Sequence, residues 1–325
     1  MIDIPDALIA TQSKYNGAAG RAFLAALPGL AAEFLERWGL RRDGEALYGV
    51  CALVLPVVRV ADGRPAALKL QPVDAETAGE PLALRAWGQA SAGAASAGAV
   101  ELLDHDPATG TMLLERLDGR RSLSGTADVR EAVRIIAELL AGLTAVRAPV
   151  GSGLRGLAEV SARMLAAAPG AVGLLADAAE RRLLADCAAA VREVAGEPGD
   201  RLLHWDLHFG NVLAGYRGGP AGEGDGRGAR DGSAGAAETR WVAIDPKPLA
   251  GDPGFELFPA LVNEFDAEAV GWRFDLMTEV LGLDRARSRA WTLGRVLQNA
   301  CWGAEDGARR LEPEQAEIAR RLLGR

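Results

Sequence analysis

The stretch His204-Trp205-Asp206-Leu207-His208-Phe209-Gly210-Asn211, answered further on by Ile244-Asp245-Pro246, decides how this chain is read. It sets Asp206 and Asn211 five residues apart and adds a second carboxylate, Asp245, in a separate short block. Leu202-Leu203 precedes the first block, Val212-Leu213-Ala214 follows it, and Trp241-Val242-Ala243-Ile244 leads into Asp245. Short apolar runs of this kind read as buried strands. Strands that end in this way present both acidic residues at one edge.

An isolated match of this kind is most often a polar loop; the flanking strands make it more than that. An Asp that takes a hydroxyl proton, an Asn five residues later that binds Mg²⁺, and a further Asp for a second metal make up the catalytic loop of kinases, H-R-D-x-x-x-x-N, with its metal carboxylate. The set suits phosphoryl transfer, which consists mainly of orienting the attacking oxygen and neutralising charge on the β- and γ-phosphates. On this reading Asp206 is the base, and Asn211 and Asp245 are the metal ligands. With the base role filled, His204 and His208 are expected to brace the loop.

The rest of the chain sets bounds. Its 325 residues are enough for two domains, and 49% hydrophobic composition with a mean hydropathy of +0.04 describes a globular protein. A formal charge of −8 and no Lys/Arg-rich run argue against a nucleic-acid partner and suit a cationic small substrate. Cys51, Cys187 and Cys301 are odd in number and far apart, which fits reduced core thiols. The first residues lack a basic and apolar leader, and no long uncharged apolar run occurs. The expectation is a cytoplasmic protein with no membrane span and no evident obligate protein partner.

Residues 20–39 have apolar positions at helical spacing and stop at Gly39. Residues 50–60 and 66–70 read as strands joined at Asp62-Gly63, with Lys69 inside the return strand. A short helix is expected over residues 77–88, a Gly/Ala/Ser loop over 88–99, and strands over 101–104 and 111–115. Leu117-Asp118-Gly119 reads as a break in the sheet, which places a boundary between residues 1–118 and 119–325. Helices follow, one capped by Asp128 and another over residues 174–194. Residues 218–235, 8 of 18 of them glycine, read as a flexible hairpin insertion without a role of its own. The fold class is α+β: a protein-kinase-like pair of lobes, with a small antiparallel sheet first and a mainly helical lobe second.

The block His204 to Leu213, with Ala243-Ile244-Asp245-Pro246-Lys247-Pro248-Leu249-Ala250-Gly251-Asp252-Pro253-Gly254, resembles the aminoglycoside phosphotransferase superfamily. Ile-Asp-Pro-Lys-Pro and the trailing Leu297-Gln298-Asn299-Ala300-Cys301-Trp302 are similar to its branch of streptomycin 6-phosphotransferases and hydroxyurea phosphotransferases. The likeness runs from about residue 48 to 307. It implies ATP and Mg²⁺ as cofactors, Asp206 as catalytic base, and Asn211 and Asp245 as metal ligands. It further implies that Lys69 binds the α/β-phosphates, that Glu80 orients Lys69, and that a hinge over residues 114–117, including Glu115 and Leu117, meets adenine. Glu76, one turn earlier, is a second carboxylate available to Lys69.

Two departures stand out. The loop Tyr48-Gly49-Val50-Cys51-Ala52 lacks a full G-x-G-x-x-G, and Glu256 stands where the family often has Asp. The implied activity is phosphorylation of a hydroxyl of an aminoglycoside, with streptomycin the first expectation. Its guanidinium groups would suit carboxylates such as Glu264, Asp266, Glu305 and Asp306, with Trp272 or Trp302 as stacking faces. The alternatives are a kinase for another hydroxylated metabolite or a hydroxyurea-type compound, a non-catalytic nucleotide-binding protein of the same fold, and a two-carboxylate metal hydrolase.

Overall fold

The computed structural model describes residues 2–90, 98–216 and 239–325. In chain order the elements of its first half are α1 (Asp6–Arg37), β1 (Leu40–Arg42), β2 (Leu47–Tyr48), β3 (Leu53–Arg59), β4 (Pro65–Leu70), α2 (Glu80–Ala90), β5 (Leu102–Asp106), β6 (Thr111–Glu115), β7 (Leu117–Ser122) and α3 (Val129–Thr144). There follow α4 (Leu157–Leu174), α5 (Ala178–Val194), β8 (Arg201–Leu203), β9 (Val212–Gly215), β10 (Trp241–Ala243), β11 (Leu249–Gly251), α6 (Phe258–Val262), α7 (Val270–Leu281), α8 (Arg285–Glu305) and α9 (Pro313–Leu322). They divide into two compact units: residues 1–85, 100–122 and 213–242, and residues 86–99, 123–212 and 243–325. The chain moves between units more than once, so a single cut after residue 118 does not describe the division.

The first unit is built on an antiparallel sheet of order β1-β3-β4-β6-β5, with β2 beside β3. Side chains alternate across a strand, and alternate residues of β3 and β4 enter the core. Leu53, Leu55 and Val57 of β3 and Ala66, Leu68 and Leu70 of β4 are fully buried in one core with Leu27, Ala31 and Phe34 of α1. Each such Leu or Phe contributes about 1.5–3 kcal/mol of burial. By length and composition α1 is a helix that could cross a membrane, but it is not one straight rod. Gly17 leaves helical geometry (φ 51, ψ −122), and a Cβ on Gly20 would stand 2.3 Å from the carbonyl oxygen of Gln12, so the two segments double back closely. Only the second segment was expected from the sequence.

β7 corrects the sequence reading at Leu117-Asp118-Gly119. These residues form a strand, with Leu117 opposite Gly215 and Asp118 opposite Ala214 of β9. The partner lies nearly a hundred residues along the chain, so no local pattern marks the pairing. The expected hairpin insertion over 218–235 lies outside the described residues, as does most of the loop expected over 88–99; α2 begins at Glu80 and runs on to Ala90.

The second unit is mainly helical. Asp128 caps α3 through the N–H groups of Arg130 (2.9 Å) and Glu131 (3.3 Å), as its sequence position predicts. Where one helix was expected from residue 174, α4 ends at Leu174 and α5 begins at Ala178, capped by Asp177 through Ala179 N–H at 2.7 Å. Pro169, Gly170 and Gly173 obscure the helical pattern of α4. Trp291, Leu293 and Leu297 of α8 are fully buried. β8 pairs with β11, Arg201 opposite Gly251 and Leu203 opposite Leu249.

Candidate active site

In the first unit, the period-two alternation that sends Leu68 and Leu70 into the core sends Lys69 and Gln71 to the other face of β4. There Lys69 Nζ lies 2.7 and 2.8 Å from the two carboxylate oxygens of Glu80, and Gln71 Nε2 donates to Glu80 Oε2 at 2.8 Å. The Lys69 and Glu80 side chains are 5% and 2% exposed, so this is a buried pair. Removing one partner of such a pair leaves an uncompensated charge and costs about 3–5 kcal/mol. The structure shows the Glu80 carboxylate on Lys69. Gln71, not foreseen, shares Lys69's strand face two residues on. Glu115 forms a forked pair with Arg240 (2.8 and 3.0 Å), and its N–H donates to the carbonyl of Glu101 at 2.9 Å. Leu117 opens β7.

In the second unit, beyond the last β8–β11 pair, Leu203 opposite Leu249, the Lys247 N–H donates to His204 O at 3.0 Å. The backbone of Asp206 is fixed at both ends. Its N–H donates to His204 Nδ1 at 3.4 Å, while its carbonyl accepts from His208 N–H at 3.0 Å and from Asn211 Nδ2 at 2.9 Å. Asn211 in turn accepts the Ile244 N–H on its carbonyl at 2.9 Å, which ties the Asp206–Asn211 turn to the segment that carries Asp245. The Asp206 carboxylate meets Lys247 Nζ at 3.1 Å. Hydrogen bonds therefore link Asp206, Asn211 and Ile244, the residue before Asp245, in one region.

His204 is fully buried, and desolvation, the largest influence, pushes its pKa down to about 4. A neutral ring fits its contacts: Nε2–H donates to Ile244 O at 3.0 Å and Nδ1 accepts from Asp206, so it braces two loops at once. Its ring also stacks on Trp87, at 6.2 Å between centroids. His208 Nδ1 accepts the Gly210 N–H at 3.1 Å, again a bracing role.

Glu256 is a bracing residue whose bonds the sequence left open. Trp205 has φ 65 and Asp245 has φ 62, in a region that non-glycine residues rarely occupy. Such backbone persists where its surroundings hold it. Trp205 is held by its N–H, which donates to Glu256 Oε1 at 2.8 Å, and by the guanidinium of Arg155 over its ring at 4.7 Å.

The residues fit Mg²⁺. Asn211 Nδ2 is committed to the Asp206 carbonyl, so Oδ1 is the atom of this amide that can serve as a hard oxygen donor, and Asp245 has a carboxylate of the same hard-oxygen chemistry. Among the described residues no group of three or more His, Cys, Asp or Glu forms a cage for a metal. Of the expected stacking faces, Trp302 is 43% exposed and stands 6.2 Å from Trp205, whereas Trp272 is covered by Arg130 at 4.5 Å. Asp266 is engaged in capping Glu268 N–H at 2.9 Å.

Residues 37–307 match the family model described as aminoglycoside/hydroxyurea antibiotic resistance kinase. The chain belongs to this family. It is similar to a hydroxyurea phosphotransferase of Kitasatospora aureofaciens, 59% identical over 100% of this chain and 87% of the relative. It is also similar to a streptomycin 6-kinase of Streptomyces glaucescens, 47% identical over 100% of this chain and 98% of the relative. A solved structure of wild-type aminoglycoside 2'-phosphotransferase-IIIa in complex with GDP shares the fold, with a TM-score of 0.52 at 11% identity over 91% of this chain and 96% of that one. The kinase is thus a phosphotransferase acting on a hydroxyl, with the two-lobe protein-kinase-like architecture expected from its sequence.

Proposed function

We propose that this kinase transfers the γ-phosphoryl group of ATP to streptomycin, at its 6-hydroxyl. The observation that carries the acceptor is 47% identity over nearly the whole of a streptomycin 6-kinase. The chemistry rests on the Asp206, Asn211 and Asp245 constellation. In the reaction the acceptor oxygen attacks Pγ, the bond from Pγ to the β,γ-bridging oxygen breaks, ADP leaves, and the acceptor proton passes to the Asp206 carboxylate. Lys69 binds the α/β-phosphates, held by Glu80, which Gln71 braces in turn, and the backbone around Glu115 and Leu117 meets the base. Asn211 and Asp245 hold Mg²⁺, which neutralises phosphate charge when bound. A cationic acceptor matches the net charge of −8. The enzyme acts in the cytoplasm, where ATP is available.

The second reading is a hydroxyurea-type acceptor, favoured by the 59% identical relative. Steady-state rates with streptomycin and with hydroxyurea, and a ³¹P spectrum of the product, separate the two. A streptomycin phosphomonoester formed at a far higher kcat/KM supports the first reading. Phosphorylation of hydroxyurea alone replaces it with the second.

A further inference from the structure

We propose that Lys247 is a positioning residue for the transfer, holding one carboxylate oxygen of Asp206 so that the other faces the acceptor hydroxyl. This rests on the reading of Asp206 as the base. The main-chain bonds of Asp206 to His204, His208 and Asn211 place its backbone but leave its χ angles open. The ion pair from Lys247 Nζ to Oδ2, at 3.1 Å, selects a direction for the carboxylate.

An exposed lysine pair ordinarily contributes little, because ordering two long side chains offsets the attraction. Here the side chains are 42% and 29% exposed, yet the lysine backbone is already fixed. Pro246 and Pro248 flank it, and a residue before proline is restricted to extended backbone. Its N–H donates to the carbonyl of His204, two residues before Asp206, at 3.0 Å. The strand pairing that places the base therefore also places the cation that holds it. The residue type fits as well. A guanidinium fork tends to engage both carboxylate oxygens, whereas an ammonium acts as a point charge on one, leaving Oδ1 for the proton. In the step, the acceptor O–H bond breaks as the O–Pγ bond forms, the proton goes to Asp206, and the electron pair of the breaking Pγ–O bond leaves with ADP. Lys247 keeps its own proton throughout.

The test compares Lys247→Met, Lys247→Arg, Asp206→Asn and the double variant Asp206→Asn/Lys247→Met, with kcat, both KM values and the melting temperature measured for each. Expected for Lys247→Met is a kcat lower by about 30-fold or more, with KM for ATP and streptomycin within about threefold. Lys247→Arg regains part of the rate. The double variant is no slower than Asp206→Asn, because no charged carboxylate remains to be positioned. A wild-type kcat in Lys247→Met, a loss confined to KM for ATP, or losses that multiply in the double variant would each overturn the proposal. If Lys247→Met does not fold, Lys247→Gln takes its place in both the single and the double variant. An Asp206→Asn enzyme keeping more than about a tenth of the rate overturns the base assignment itself, which separates the two failures.

Discussion

Glu256 accepts the backbone N–H of Trp205 at 2.8 Å, so a fully buried carboxyl holds the residue immediately before Asp206. Among the described residues its other oxygen has no hydrogen-bond partner. Burial pushes its pKa up from 4.5 to about 7, against the opposing pull of the Trp205 bond and the charge of Arg295. The Trp205–Asp206 segment is thus flanked by a buried acid, Glu256, that keeps its proton to near neutrality and a buried histidine, His204, that stays neutral down to about pH 4.

These two shifts act in opposite directions on stability. The Glu256 pKa is raised, so its contribution is complete below 4.5 and is lost as pH rises to about 7. The His204 pKa is lowered, so its contribution is complete above 6.5 and is lost as pH falls to about 4. Between these limits they offset each other. In Glu256→Gln, whose amide oxygen can still accept from Trp205, the His204 slope stands alone. Urea unfolding should then show stability falling more steeply in the variant than in wild type as pH falls from 6.5 toward 4.5. Superimposable profiles would mean that Glu256 is ionised in the native state.

Lys69→Met should destabilise the fold by about 3 kcal/mol, since it leaves the Glu80 carboxylate buried without its cation, and should raise KM for ATP. Adding Glu80→Gln to that variant should restore much of the stability but none of the activity. Chemical denaturation and ATP kinetics on the four members of the cycle check this. If the double variant regains ATP affinity, Lys69 is not a nucleotide contact.

Asp245 has φ 62, which Asn tolerates and Ala does not. Asp245→Asn should therefore keep wild-type stability, while Asp245→Ala loses about 1 kcal/mol from backbone strain. Both should require more Mg²⁺ for half-maximal rate, because both lose a charged oxygen ligand. Equal melting temperatures for the two variants would contradict the strain argument, and an unchanged Mg²⁺ requirement would contradict the ligand role.

Much of the site was legible because its signals are local. The Asp206 to Asn211 spacing, Lys69 within an apolar strand, the Asp128 cap and the limits of β6 all lie within a few residues of chain. What escaped depends on partners remote in sequence. β7 is a strand only because β9 lies beside it, and β11 matters only because it pairs with β8. The bond from Glu256 to Trp205 and the pair of Lys247 with Asp206 each span some forty residues or more, and no periodicity encodes them. The first segment of α1 was missed because Gly17 interrupts its helical pattern.

The central claim is that Asp206 drives transfer of a phosphoryl group from ATP to streptomycin. The most direct measurement follows label from γ-³²P-ATP into streptomycin with the wild-type enzyme and with Asp206→Asn, alongside direct ATP binding to both. The account predicts labelled streptomycin in proportion to ADP formed, a loss of several orders of magnitude in the variant, and nearly unchanged ATP affinity. Label released as inorganic phosphate, or transfer that survives in Asp206→Asn, would contradict it.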